Sequence, residues 1–385
     1  MNNAAPADID LHPQRTQNIV HLLQERVAQQ HIPGAVVLVA RRGRIGLYEA
    51  IGQQDPAAGT PMRTDSIFRI YSMTKPLVSV AVMMLVERGR LLISDPVSRW
   101  LPEYTQQQVR TPQALVPARQ PATVQDLLRH TAGLTYEFLG DSPVQRQYAE
   151  ANIASRLRSN SDFSQTLAGI PLQFQPGSVW AYSRATDVLG RLVEVVSGKT
   201  LGQFLHSEIF EPLGMPDTGF AVPPAQQHRI AQPFGHDPDG GVPMKLFDPR
   251  EVPAMESGGG GLMSTAMDYA RFLQCLLRGG ELGGQRLLSR HTLAFMTADH
   301  LGSIPIDGTL LPPGHGFGLG FAVRRAAGES PVPGSVGSYH WSGIGGTSFF
   351  VDPAQDLYAL LLTQAPNQRD HYRQLFRNLV YAALT

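Results

Sequence analysis

The stretch FRIYSMTKPLVSVAVMMLVER, residues 68–88, constrains this chain more than any other part of it. Ser72 and Lys75 stand three residues apart, so a helix that begins near Ser72 places both side chains on one face, one turn apart. Pro76 fits only near the start of a helix, because its ring clashes with the carbonyl group four residues back. The spacing therefore predicts a helix with Ser72 at its N-terminus, where the helix dipole favours developing negative charge.

The apolar run over residues 77–86 predicts that this helix is buried. Burial disfavours a charged amine and lowers its pKa, so we expect a neutral Lys75 that can take the proton of Ser72. A serine activated by a lysine is one of the known variants of triad chemistry. The chain has only three lysines and 23 serines, so chance gives about 0.2 matches to S-x-x-K. The alternative is a capping serine and a lysine that reaches solvent from an ordinary core helix.

The composition argues against several classes of partner. Basic and acidic residues number 32 each, so the formal net charge is +0 and no nucleic-acid-binding surface is predicted. The longest apolar run is about half of a membrane span, and the first residues lack the pattern of a signal peptide. A lone Cys275 excludes an internal disulfide, and no His or Cys grouping has metal-ligand spacing. We therefore expect a cytoplasmic protein with no membrane partner, no metal and no cofactor.

Hydrophobic periodicity places strands near both ends of the chain and helices in its middle. Helices are predicted over 14–30, 184–208, 264–278, 289–298 and 368–383; strands are predicted within 35–51 as a hairpin and over 317–322, 346–351 and 357–364. Residues 136–180 and 218–262 are predicted to be rich in loops. The pattern favours an α+β fold with one antiparallel sheet built from both termini. We expect a sheet domain of residues 1–85 and 290–385 and an inserted, mainly helical domain of residues 86–289.

Two further segments are candidates for completing a site around Ser72. Tyr182 follows a Pro-Gly turn and precedes a predicted helix, so its phenol can point into a cleft and relay a proton. The segment HWSGIGG, residues 340–346, is a glycine-rich strand end suited to offering backbone N–H groups to an oxyanion, with Trp341 as an apolar wall. Taken alone, each has a plainer interpretation: an aromatic residue packed on the core, and a hairpin eased by glycines. No G-x-S-x-G elbow occurs, which argues against a Ser-His-Asp α/β-hydrolase.

Several motifs together resemble one family. They are FRIYSMTKP at 68–76, LLRHTAGL at 127–134, PGS with Tyr182 and DVLG at 176–190, PLGM at 212–215, GGGLMST at 259–265, and WSG with VDP at 341–353. In these segments the chain resembles the class C β-lactamase-like serine hydrolases, most of all the family VIII carboxylesterases. The resemblance implies a β-lactamase and penicillin-binding-like fold, with a mainly antiparallel sheet flanked by helices and an inserted helical domain that carries the loop of Tyr182.

The resemblance also implies roles for individual residues. Ser72 would be the acylated nucleophile, with Lys75 and Tyr182 as base and proton relay. The backbone N–H groups of Ser72 and Ile344 would form the oxyanion hole. Trp341 and Gly343 would contact the substrate.

Two departures from the family pattern bear on the substrate. The motif Tyr-x-Asn is here Tyr182-Ser183-Arg184, and Lys-Thr-Gly is here Trp341-Ser342-Gly343. An indole thus replaces the cation that receives a β-lactam carboxylate, which weakens the binding of carboxylate-bearing substrates. We expect a serine carboxylesterase that takes small, neutral, short-chain acyl esters. The alternatives are a β-lactamase, D-amino-acid peptidase or other amide hydrolase on the same scaffold, and a non-catalytic descendant that binds or scaffolds; the sequence leaves the oligomeric state open.

Overall fold

The computed structural model describes residues 2–385, which form eleven α-helices and fifteen strands, several of them short. The helices are α1 Pro13–Ala28, α2 Thr74–Glu87, α3 Val124–Leu128, α4 Pro143–Glu150, α5 Asn160–Ala168, α6 Ala185–Ser197, α7 Leu201–Leu205, α8 Glu211–Leu213, α9 Ala266–Leu277, α10 Arg290–Met296 and α11 Arg369–Ala382. The strands are β1 Asn2–Asn3, β2 Gly34–Arg41, β3 Arg44–Asp55, β4 Thr60–Pro61, β5 Phe68–Arg69, β6 Gln108–Arg110, β7 Leu115–Pro117, β8 Met263–Ser264, β9 Glu281–Leu282, β10 Gln285–Arg286, β11 His315–Phe317, β12 Ala322–Arg324, β13 Tyr339–Ser342, β14 Ser348–Asp352 and β15 Leu357–Thr363.

The main sheet joins the two ends of the chain. Its strand order is β1-β3-β2-β15-β14-β13-β12-β11, and β4 adds to the side of β3. The ends meet where β2 pairs antiparallel with β15, from Arg41 opposite Leu357 to Ala35 opposite Thr363. The short pairing of β1 with β3 is parallel, and the other pairings of this sheet are antiparallel. The predicted α+β fold with a sheet built from both termini is confirmed.

The two central strands are buried on both faces. Every residue of β2 and β15 is buried, which explains why both read as continuous apolar runs instead of alternating ones. Because successive side chains of a strand point to opposite faces, Leu38 and Leu360 join the core around α2, whereas Val37 and Leu361 join the core under α1 and α11. The sheet is therefore the middle layer between α1 and α11 on one side and α2 on the other.

Most of the remaining helices gather around α2. Helix α6 packs directly on α2, and α3, α5 and α7 pack on α6. Helix α9, although it lies within the predicted insertion of residues 86–289, also packs against β15 and β2. The division into a sheet domain of residues 1–85 and 290–385 and an inserted helical domain stays a prediction.

Three of the predicted segments differ in the structure. The helix predicted over 184–208 is two helices, α6 and α7, because Gly198 ends α6 with a left-handed φ of 74°. Residues 136–180 contain α4 and α5 in addition to loops, and each of these helices begins with a capping box, at Ser142 with Gln145 and at Ser159 with Asp162. The predicted strand over 317–322 is two short strands, β11 and β12. The turn between them includes Gly320, whose φ of 100° lies in the region that only glycine adopts readily.

The central layer yields a prediction about stability. Leu360 is fully buried, so Leu360→Ala removes apolar contacts on the α2 side and leaves a cavity, and the free energy of unfolding should fall by about 2–5 kcal/mol. Leu92 is 57% exposed, so Leu92→Ala, the same chemical change, should alter that free energy by less than about 0.5 kcal/mol. Urea unfolding followed by circular dichroism measures both. Equal losses in the two variants would contradict the assignment of β15 to the core.

Candidate active site

Ser72 lies in a tight turn that leads straight into α2. The 3-10 turn Tyr71–Met73 is closed by the N–H of Met73 on the carbonyl of Ile70, and α2 follows at Thr74. Tyr71 has a φ of 45°, a left-handed conformation that costs a non-glycine residue of order 1–3 kcal/mol. Its hydroxyl accepts the N–H of Phe247 at 3.3 Å and its ring packs on that of Phe247 at 5.0 Å, and both contacts hold the turn. Ser72 is thus at the helix start, as the spacing predicts.

The amine of Lys75 is buried among three oxygen atoms. Its Nζ lies 3.2 Å from Ser72 Oγ, 3.0 Å from Tyr136 Oη and 2.6 Å from the carbonyl oxygen of Gly259. The side chain has no exposed surface, and this burial lowers the pKa of Lys75 to about 7. The amine is therefore available in its neutral form near neutral pH.

Tyr182 is the second side chain that contacts the Ser72 hydroxyl group. It stands three residues before α6, and its Oη lies 2.7 Å from Ser72 Oγ. Its ring centroid lies 4.6 Å from Lys75 Nζ. Burial raises the pKa of Tyr182, so the phenol keeps its proton. The structure thus brings together the three side chains that the sequence selects.

Trp341 adds a hydrogen bond that the sequence did not predict. It lies on β13, and its indole Nε1 donates to Tyr182 Oη at 3.3 Å. Because an indole N–H can only donate, it occupies a lone pair of the phenol oxygen and leaves the phenol hydrogen for Ser72. The indole therefore orients Tyr182 as a donor to Ser72, and its role as an apolar wall for the substrate stays a prediction.

The turn after β13 brings backbone close to the nucleophile. A Cβ atom at Gly343 would lie 2.3 Å from the carbonyl oxygen of Ile70, so a residue larger than glycine would push this turn away from Ser72. Within residues 2–385, the N–H of Ile344 donates no hydrogen bond, whereas that of Gly343 is bonded to the carbonyl of Thr347. The close approach explains Gly343 without a substrate contact, and its role in binding stays a prediction, as does the oxyanion hole at Ser72 and Ile344.

Tyr136 is the member of the site that sequence reasoning missed. It follows α3 in a segment treated as loop, and nothing in the pattern separates it from Phe138, which is exposed at 55%. In the structure its hydroxyl bonds to Lys75, and burial raises its pKa well above the usual value. Tyr136 is therefore a neutral phenol that is a neighbour of Lys75 but not of the Ser72 hydroxyl.

His130 is buried beside the site but does not contact Ser72. Its Nδ1 lies 3.1 Å from Ser183 Oγ, and its ring lies 5.0 Å from the ring of Tyr182. Burial lowers its pKa well below the usual value, so the imidazole is neutral. It packs behind Tyr182 and supports the position of the phenol.

Metal clusters and membrane-spanning helices are both absent from the described part of the chain. Within residues 2–385, no three His, Cys, Asp or Glu side chains cluster as a metal site would require. In the same range, no helix has both the length and the apolar character that crossing a membrane requires.

Comparisons with known proteins identify a family and several similar chains. The family model Beta-lactamase matches residues 19–382. Esterase EstB of Burkholderia gladioli is 34% identical over 368 residues, which cover 89% of this chain and 88% of that protein. The structure of EstCE1, a hydrolase with promiscuous acyltransferase activity, superposes with a TM-score of 0.80 at 29% identity and covers 96% of this chain and 99% of that chain. Simvastatin Synthase (LovD) from Aspergillus terreus superposes with a TM-score of 0.80 at 25% identity over 96% of this chain and 98% of that chain.

These matches confirm the predicted resemblance to the class C β-lactamase-like serine hydrolases and the family VIII carboxylesterases. They also confirm the β-lactamase and penicillin-binding-like fold. Because the family model spans nearly the whole chain and a relative above 30% identity covers most of it, this chain belongs to the Beta-lactamase family of serine hydrolases.

Proposed function

We propose that this serine hydrolase is a carboxylesterase that forms an acyl-enzyme on Ser72, with Lys75 and Tyr182 moving the protons. One observation carries the proposal: Ser72 Oγ lies 3.2 Å from the Lys75 amine and 2.7 Å from the Tyr182 phenol. Among the proteins similar to this chain, EstB is named an esterase and EstCE1 is named a hydrolase. Both names support ester hydrolysis on this β-lactamase-like scaffold.

Acylation begins with attack by Ser72 Oγ on the ester carbonyl. The neutral Lys75 amine accepts the serine proton as the new C–O bond forms, which makes the alcohol a competent nucleophile. The carbonyl oxygen gains negative charge, and the N–H groups of Ser72 and Ile344 are the donors that we assign to it. The start of α2 adds the positive end of a helix dipole at the same place.

Tyr182 protonates the leaving group. Its phenol donates its proton to the alkoxide as the C–O bond of the tetrahedral intermediate breaks. The Lys75 ammonium, 4.6 Å from the ring centroid, stabilises the phenolate and returns the proton to it. In deacylation a water molecule takes the place of the alcohol and gives its proton to the same relay. One ester and one water are consumed, and one alcohol and one acid are released.

The charges around the site favour a neutral acyl group. The position that carries a lysine in the family motif holds Trp341, whose N–H is already bonded to Tyr182. Arg184 is buried against Glu137 and Asp187, so its charge is compensated inside the protein. Arg373 donates to the carbonyl of Gly343 and to Asp370. Each of these three side chains thus already has a partner within the protein, which leaves a substrate carboxylate without a free cation among them.

The first test removes the reacting groups one at a time. Ser72→Ala should abolish hydrolysis of p-nitrophenyl butyrate, and Lys75→Ala and Tyr182→Phe should each lower kcat by about two orders of magnitude or more. Tyr48→Phe makes the same change at a phenol bonded to the carbonyl of Thr64 and should leave kcat unchanged. A fluorophosphonate should label Ser72, as mass spectrometry of the peptides would show. Labelling elsewhere, or undiminished activity of Ser72→Ala, would overturn the proposal.

The second test is the pH dependence of kcat/KM. Lys75 acts only in its neutral form, and burial sets the pKa of Lys75 at about 7. The rate should therefore rise tenfold per pH unit below that value and level off above it. Activity that stays constant from pH 5 to pH 8 would remove Lys75 from the role of base.

The third test compares two substrates of equal length. The p-nitrophenyl esters of butyric acid and of succinic acid share a four-carbon acyl chain, and only the second ends in a carboxylate. Because Arg184 and Arg373 are already paired and Trp341 carries no charge, kcat/KM for the succinate ester should be lower by about tenfold or more, equal to about 1.4 kcal/mol. Comparable rates would contradict the proposed preference. Turnover of nitrocefin as fast as that of the butyrate ester would favour the amide hydrolase instead.

A further inference from the structure

Arg184 stands where the family motif has an asparagine, and it belongs to a buried group of charges behind the site. Its guanidinium bonds to the carboxylate of Glu137 and lies 3.5 Å from Asp187 Oδ2. It also covers the ring of Tyr136, with 4.8 Å between Cζ and the ring centroid. Asp187 is 2% exposed. A carboxylate buried to this degree needs charged or hydrogen-bonding partners, and one partner of Asp187 is the segment that contacts Lys75.

The second oxygen of Asp187 holds the segment that contacts Lys75. Asp187 Oδ1 accepts the N–H of Gly259 at 2.9 Å and the hydroxyl of Ser257 at 2.5 Å. The carbonyl of the same Gly259 accepts from Lys75 Nζ at 2.6 Å. A Cβ at Gly259 would lie 2.7 Å from Asp187 Oδ2, so the segment is pressed against the carboxylate. One residue thus links the carboxylate on α6 to the catalytic amine.

The carbonyl of Gly259 restricts how the amine can use its hydrogens. A neutral amine has two N–H donors and one lone pair, and a carbonyl can only accept. One N–H must therefore point at Gly259, which leaves one N–H and the lone pair for Ser72 and Tyr136. After Ser72 gives up its proton, the ammonium has three N–H groups, and the oxygens of all three neighbours can accept them. The carbonyl therefore suits both the base and its protonated product.

We propose that Asp187 and Arg184 are a pair of positioning residues that hold the Gly259 carbonyl on Lys75 and balance the charge around that amine. The inference rests on the proposed function and extends it, because it adds residues that touch neither substrate nor nucleophile. The carboxylate fixes the segment through the Gly259 N–H. The Arg184 guanidinium fixes the Asp187 carboxylate. Through its contacts with Glu137 and with the ring of Tyr136, it also fixes Tyr136, the second neighbour of the Lys75 amine.

The pair acts on the amine with opposite signs. The Asp187 carboxylate favours the ammonium form of Lys75, and the Arg184 guanidinium disfavours it. The other groups that face the amine are the neutral phenols of Tyr136 and Tyr182 and the neutral imidazole of His130. Two further charges lie in this region: Glu137 is held by Arg184, and Arg373, which acts on Tyr182, is bonded to Asp370 and to the carbonyl of Gly343. Loss of the Asp187 charge should therefore lower the pKa of Lys75, and loss of the Arg184 charge should raise it.

The experiment is the pH profile of kcat/KM in charge-removing variants of the full-length chain. The acidic limb of this profile is the pH range in which kcat/KM rises as Lys75 loses its proton. Asp187→Asn should move the acidic limb to lower pH and reduce kcat. Arg184→Gln should move the limb to higher pH, and each shift should be at least about half a pH unit. Arg184→Lys keeps the charge and should restore most of the wild-type position. Glu194→Gln makes the same carboxylate-to-amide change on α6, at a residue paired with Arg191, and should leave the limb in place.

The outcomes separate this inference from the proposed function. If a fluorophosphonate labels Ser72 but the limb stays fixed in both Asp187→Asn and Arg184→Gln, the positioning pair is refuted and the esterase proposal stands. Limbs that move in the same direction would also refute the balance of charge. If Asp187→Asn does not fold, Arg184→Gln and Arg184→Lys carry the test, because a purely structural loss would not move the limb in one and restore it in the other.

Discussion

The burial of one amine is the constraint on which the rest of the site depends. Lys75 has no contact with solvent, and a charge in such a place costs several kcal/mol unless it is solvated by the protein. Three oxygens replace the solvent, and they come from the turn before α2, from the segment after α3, and from the segment before β8. Burial therefore suits the amine to the proposed role of base, and segments outside the helices supply its neighbours.

The same apolar surroundings that neutralise Lys75 keep the Tyr182 phenol protonated. Burial lowers the pKa of the amine and raises that of the phenol, so Ser72 lies between a proton acceptor and a proton donor at the same pH. The indole N–H of Trp341 fixes the direction of the phenol hydrogen. The residue that replaces the family's lysine thus removes a charge that could bind a carboxylate, and it adds a donor that orients Tyr182 for the proposed relay.

The parts of the fold and site that the sequence predicts are those with a fixed spacing. Ser72, Lys75 and Pro76 define a helix start, and continuous apolar runs define β2 and β15, because local geometry determines both. The capping boxes of α4 and α5 are also present in the sequence, as Ser followed three residues later by Gln or Asp. The segment that holds both helices is nevertheless predicted to be rich in loops. Tyr136 and the Gly259 carbonyl could not be predicted, because a loop side chain and a backbone oxygen have no periodic pattern. Their positions depend on contacts with Lys75 across 61 and 184 residues of the chain, respectively.

Two glycines bring backbone close to the site, one beside the turn of Ser72 and one beside Lys75, and each is held by a charged side chain from a distant helix. Gly343 lies against the carbonyl of Ile70, and its own carbonyl accepts from Arg373 on α11. Gly259 lies against Asp187 on α6. Helices α6 and α11, which carry none of the proposed reacting side chains, therefore hold the two backbone segments that we assign to the support of Lys75 and to the oxyanion hole. Trp341 on β13 acts differently, because its indole N–H orients the Tyr182 phenol toward Ser72. A change at Trp341 would therefore alter the proposed proton relay as well as the charge near the acyl group.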